Sequence, residues 1–171
     1  MRYSSNYKAL QQELHAREPQ YGTSGLKHAG HVQELAKRMN TRDVLDYGCG
    51  KQTLQKNIPF PITNYDPFIV GLDDEPDPHN LVVCSDVLEH IEPDCLGDVL
   101  AHLRAKTKQV LFVDVACRLA KKSLADGRNA HLIIQDTLWW LNQLGKLFDV
   151  QSVQSYEGGF VATFTPRENL K

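Results

Sequence analysis

The chain has 171 residues, 42% hydrophobic and 23% charged, with a formal net charge of −2; this suits one domain around one core and excludes a disordered chain. Near-balanced charge also excludes an extended duplex-tracking surface, whose affinity needs many uncompensated Lys and Arg. No apolar run approaches membrane-spanning length and Met1–Lys8 has no signal-type apolar stretch, so a cytoplasmic protein without a membrane partner is expected, its four cysteines reduced because none forms a Cys-x-x-Cys pair.

In chain order, residues 4–17 read as a helix, Tyr21–Gly25 as a break with Ser24 as a helix cap, and residues 26–39 as a second helix. His28 and His31, three apart, are expected on the solvated face of that helix. The apolar pair Val44–Leu45 then runs into Asp46 and a turn, Gly48-Cys49-Gly50, where missing β-carbons let the backbone bend sharply and approach a ligand. Pro59 and Pro61 force any helix after this loop to be short. Ile62–Tyr65 is a second strand ending in Asp66, about twenty residues on, the spacing at which a carboxylate accepts hydrogen bonds from both ribose hydroxyls of an adenosine.

The Pro- and Asp-rich stretch Gly71–Pro78 leaves no room for a further helix, strand and helix. Leu81–Ser85 is an apolar strand running into Asp86-Val87-Leu88-Glu89-His90. Pro93-Asp94 opens a helix to about Lys106, and Gln109–Val115 is the clearest strand in the chain. After a polar crossing, Asp136 caps a helix whose apolar side is read as Leu138, Trp139, Leu141 and Leu144. Of the adjacent Trp139 and Trp140, one is expected to be buried. Phe148–Tyr156 and Phe160–Phe164 form a hairpin around Gly158-Gly159. Alternation of strand and helix predicts a parallel sheet covered on both faces.

The loop chemistry discriminates between ligands. A dinucleotide presents a pyrophosphate and favours Gly-x-Gly-x-x-Gly, but the third position here is Thr53 and Asp46 repels a phosphate, which disfavours a dehydrogenase. S-adenosylmethionine has a sulfonium and an ammonium instead, for which Asp46 is attractive. With its acid, glycine loop, second acid and Asp-Val-Leu-Glu-His segment, the chain resembles the class I S-adenosylmethionine-dependent methyltransferases. It departs from their first motif at the third glycine, which is Gln52.

That resemblance implies an α/β, Rossmann-like doubly wound sheet, mostly parallel with a C-terminal antiparallel hairpin and with the third strand reduced or absent. Residues 1–171 form a single domain, with 1–39 as N-terminal helices or lid and 40–165 as cofactor-binding core. It implies S-adenosyl-L-methionine held by Asp46, Gly48, Gly50, Asp66, Pro67, Phe68, Ser85 and Asp86, and in-line methyl transfer with His90 and His131 as catalytic candidates, His90 as a base. Tyr21, Arg118, Lys122 and Arg128 are the acceptor-binding candidates. The basic crossing after the fifth strand points to an anionic small-molecule or nucleotide-type acceptor.

Plainer readings stand beside these: Asp46 and Gly48 as a strand-to-helix turn, Asp66 as an Asp-Pro turn residue, the crossing as a solvated loop. A second function class is a non-catalytic cofactor-binding interaction or regulatory domain. No metal is the reading taken. Its alternative resembles the metal-dependent methyltransferases of small-RNA 3′ ends, with Asp86, Glu89, His90 and His131 holding a divalent ion that acidifies a ribose 2′-hydroxyl.

Overall fold

The structure is a computed structural model describing residues 1–168. Helix α1 (Ser5–Arg17) starts where the Ser4 side chain accepts from the Tyr7 N–H, satisfying a donor that has no partner inside the helix. The expected helix over 26–39 is divided into a 3-10 turn (Ser24–His28) and α2 (Ala29–Arg38). At that junction His28 turns inward to Asp114, Nε2 to Oδ2 at 2.8 Å, and His31 lies with its ring edge on Phe112. Two expectations fail here. Thr23 precedes the turn and no side chain caps it, so Ser24 is not a cap, and His28 is buried rather than solvated.

Strands β1 (Val44–Tyr47), β2 (Thr63–Tyr65), β3 (His79–Ser85), β4 (Thr107–Ala116), β5 (Phe148–Tyr156) and β6 (Gly159–Pro166) make one sheet in the order β2-β1-β3-β4-β6-β5. The first four are parallel, with Asp46 opposite Asn64 and Val83, and Ser85 opposite Asp114. β6 runs antiparallel to β4 and β5. Among the described residues no strand lies between β2 and β3 in the chain, so β2 is an edge, and at three residues a short one, which limits the unpaired backbone it presents.

The central strands are buried on both faces and read accordingly as nearly continuous apolar runs. Leu45, Val82, Cys84, Leu111 and Val113 pack against α3 (Leu96–Lys106) and α4 (Thr137–Leu144). Val44, Leu81, Val83 and Phe112 face α2 on the other side. Asp136 caps α4 by accepting from the Trp139 N–H, but the buried face is Trp140 and Leu144, while Leu138 is 67% exposed. A residue four positions from Leu144 shares its face of a helix, and that residue is Trp140. The glycine loop is followed by turns and a three-residue 3-10 element (Gln55–Asn57), not by an α-helix. No helix among the described residues is long and apolar enough to cross a membrane, and the four cysteines are unpaired.

Helix α1 has its own role. Tyr7 and Leu14 form a third apolar cluster with Leu124 and Ala130 from the crossing and, more loosely, with Tyr21 and Phe68. This seats α1 across the carboxyl ends of the strands.

Candidate functional site

Strand order reverses between β1 and β3, and in sheets of this type a crevice opens outside the strand ends at such a point. Here it is closed at the bottom by the glycine loop. The N–H groups of Gly48 and Cys49 both donate to the Tyr65 carbonyl, at 2.7 and 3.0 Å. Asp66 accepts from the Gly50 N–H and the Phe68 N–H, each at 3.0 Å, so one carboxylate ties the loop to the end of β2. Gly48 (φ 78) and Gly50 (φ 50) are left-handed, and a β-carbon on Gly50 would press on the Gly22 backbone, 2.7 Å from its Cα. Gln52 stands at the family's third glycine with φ 56, a conformation that costs a side-chain-bearing residue about 1–2 kcal/mol. The backbone there keeps the glycine geometry without the glycine.

The loop is stitched to the N-terminal segment. Lys51 N–H donates to the Gly22 carbonyl, Thr53 Oγ1 to that of Thr23, and the Lys51 ammonium to those of Glu18 (2.8 Å) and Pro19 (3.0 Å) just past the end of α1. Beneath α1 this leaves a cavity open to solvent. Gly48, Gly50, Asp66, Pro67, Phe68, Asp86, His90 and Tyr21 line it. Asp46 and Ser85 do not: both are buried behind it, Ser85 Oγ 3.5 Å from Asp114 Oδ2. Strand alternation puts Tyr47, not Asp46, on the cavity side of β1. Burial, and next the charge of Asp66, push the Asp46 carboxyl up to about 7. Burial also raises Asp66, opposed by its two N–H donors and His15.

A second, polar opening shares Tyr21, Gly22, Ser24, Asp86 and His90 with that cavity and adds Arg118, Lys121, Lys122 and His131. Arg128 is not part of it, because its guanidinium pairs with Asp126 at 2.7 Å. Lys122 lies 3.5 Å from Glu18 and over the Tyr21 ring. Among the described residues Arg118 and Lys121 make no ion pair.

His90 Nδ1 is 2.8 Å from the Ala130 carbonyl, and His131 Nδ1 is 2.6 Å from that of Arg118. A carbonyl only accepts, so each Nδ1 carries a proton and donates it there. Burial lowers His90 to about 4, the nearby Asp86 opposing and His131 assisting. The ring is a neutral acceptor at pH 7 and a weak store for a proton, which bears against the expected role as base. Glu89 stands apart from Asp86, His90 and His131, with which the metal alternative grouped it. It is fully buried, its Oε1 accepts from the Ala116 N–H, and burial holds its carboxyl well above the usual range.

Residues of α1 escaped the sequence reading. Tyr7 donates to the His90 carbonyl, Gln11 donates to Tyr7 and accepts from Tyr21, and His15 packs on Tyr21. Tyr7, Gln11 and His15 recur every four residues, a polar stripe along one helical face, and that spacing was the signal available.

Residues 25–160 match the family model described as a methyltransferase domain. A comparison with curated protein sequences gives no match. Among solved structures, a 1,6-didemethyltoxoflavin-N1-methyltransferase from Burkholderia thailandensis is similar with a TM-score of 0.65 at 14% identity, covering 95% of this chain and 90% of its own. The N-methyltransferase NodS of Bradyrhizobium japonicum gives 0.59 at 15%, covering 96% and 100%. The magnesium protoporphyrin IX methyltransferase of Synechocystis gives 0.58 at 14%, covering 83% of each. The family match over most of the chain, joined to the sheet order and the acid-bounded glycine loop, shows that this chain belongs to the methyltransferase-domain family, within the class I S-adenosylmethionine-dependent methyltransferases its motifs resemble.

Proposed function

We propose that the chain binds S-adenosylmethionine in the crevice beneath α1 and transfers its methyl group to a small anionic acceptor that enters past Tyr21, Arg118 and Lys121. One observation carries this reading: the crevice and the basic opening meet at Tyr21, Asp86 and His90. The adenosyl end lies toward Asp66, Pro67 and Phe68, where a carboxylate with lone pairs to spare faces the ribose hydroxyls. The sulfonium then lies at the junction. The similar structures support both halves, since they hold S-adenosylhomocysteine, and one also 1,6-didemethyltoxoflavin, a small molecule.

The sulfonium is already an activated leaving group. The protein's task is to hold the acceptor in line at roughly 3 Å and to keep water out, which falls to α1 as a lid. His90 lines the acceptor's path, while Arg118 and Lys121 supply charge-assisted hydrogen bonds to the acceptor's anionic group.

The test is labelled-methyl transfer from S-adenosylmethionine to fractionated metabolites. Labelled product is expected in the anion-exchange-retained, low-molecular-weight fraction. Changing Lys121 to Ala and Arg118 to Gln is expected to raise the acceptor's KM about tenfold or more while leaving cofactor affinity within twofold. Label confined to neutral or macromolecular fractions, or an unchanged KM, refutes the anionic acceptor.

A further inference from the structure

We propose that Asp86, His90 and His131 form a binding site for one divalent first-row transition-metal ion at the junction of crevice and opening. One ligand atom of each lies within 4.8 Å of those of the other two. No hydrogen bond joins any pair of the three side chains, and the two imidazole rings meet edge to face with centroids 4.7 Å apart. With both Nδ1 atoms donating to the carbonyls of Ala130 and Arg118, the arrangement leaves the two Nε2 atoms and the Asp86 carboxylate without a partner among the three. A cation at its centre turns each lone pair into a bond.

Orientation by a backbone carbonyl on the far ring nitrogen is the usual support for a histidine ligand, since it fixes both tautomer and ring plane. A tetrahedral ion with ligands at about 2.0–2.2 Å holds them about 3.3 Å apart, so the three groups need to close by about 1.5 Å. Asp86, half-exposed on a turn after β3 with φ 59, is the ligand placed to close that distance. Two imidazoles and one carboxylate select Zn²⁺, Co²⁺, Fe²⁺ or Mn²⁺ over Mg²⁺ or Ca²⁺, and three protein ligands leave coordination positions open. These open toward Tyr21, Arg118 and Lys121, so the ion would take an oxygen or nitrogen of the acceptor; that role, unlike metal binding itself, rests on the acceptor reading above. Glu89 is outside the set, which separates this site from the four-ligand arrangement considered from sequence.

The test is titration of Co²⁺ into the full chain after chelator treatment and dialysis, followed by visible absorption, with Zn²⁺ calorimetry in parallel. One equivalent is expected at micromolar affinity or tighter. His131→Ala and Asp86→Asn should each weaken binding tenfold or more; far-ultraviolet circular dichroism and S-adenosylhomocysteine binding report their folding, and the half-exposed Asp86 supplies the milder change. Absence of stoichiometric Co²⁺ and Zn²⁺ binding, or binding indifferent to both Asp86→Asn and His131→Ala, overturns the site. Methyl transfer to an anionic acceptor without metal binding overturns the site and leaves the acceptor reading standing. Metal binding lost in both variants, with no transfer to any anionic acceptor, sustains the site and sinks that reading.

Discussion

Replacing Asp46 by Asn is expected to stabilise the unliganded protein at pH 8 and to weaken its grip on the cofactor. The Asp46 carboxyl is pushed up to about 7, first by burial and then by Asp66, whereas an unfolded Asp titrates near 3.9. Between those values the native state binds the extra proton, so its stability falls as pH rises and the whole deficit is present above pH 7. Three units at about 1.4 kcal/mol each give a deficit of about 4 kcal/mol at pH 8, but only about 1.5 kcal/mol at pH 5. Asn has the same shape and carries no charge, so it avoids the deficit and also relieves Asp66. Urea unfolding of both proteins should show the advantage of Asp46→Asn growing by about 2–3 kcal/mol from pH 5 to pH 8. The reverse holds for binding. A cation about 10 Å from an ionised carboxylate gains roughly 1–2 kcal/mol at an effective dielectric constant near 20, so calorimetry at pH 8 should find S-adenosylmethionine bound about tenfold more weakly by the variant. A pH-independent stability difference, or a less stable variant at pH 8, refutes the reasoning.

Gly50→Ala should cost about 2–4 kcal/mol and abolish cofactor binding, because its β-carbon meets Gly22 backbone and its φ of 50 is left-handed; native stability with native affinity for S-adenosylhomocysteine would contradict this. Glu89→Gln should stay within about 1 kcal/mol of wild type near neutral pH, since the carboxyl is held above its ordinary range and Gln retains an acceptor for the Ala116 N–H. Glu89→Ala should lose about 2–4 kcal/mol by leaving that donor unpaired over a cavity. Equal losses for the two, measured by denaturant unfolding, would show that the hydrogen bond is not what Glu89 supplies.

The glycine loop, Asp66 and the segment Asp86–His90 were legible because each is a local pattern: a backbone demand that glycine meets, or an acid at the end of an apolar run. The Asp136 cap was legible for the same reason. Helix α1 was legible as a helix but not as the roof of the site, since its contacts with His90, Phe68 and the crossing span long stretches of chain. Arg128 read as an acceptor ligand until the turn brought Asp126 against it.

Parity along a strand is written in the sequence, so Asp46 and Tyr47 were bound to face opposite ways; which of those faces holds the cavity depends on where α1, β2 and the Asp86 turn come to rest. The same limit governs Asp86, Glu89 and His90. Their spacing alone would put all three on one face of an α-helix, but a left-handed Asp86 followed by the 3-10 turn Leu88–His90 sends Glu89 into the core and His90 to the opening. The sequence by itself determined the order of strands and helices, the family and the acid-bounded glycine loop, because these follow from hydrophobic periodicity and local backbone chemistry. Tertiary structure alone decided which polar groups share the cavity, because burial, tautomer and charge pairing are properties of neighbours far apart in the chain.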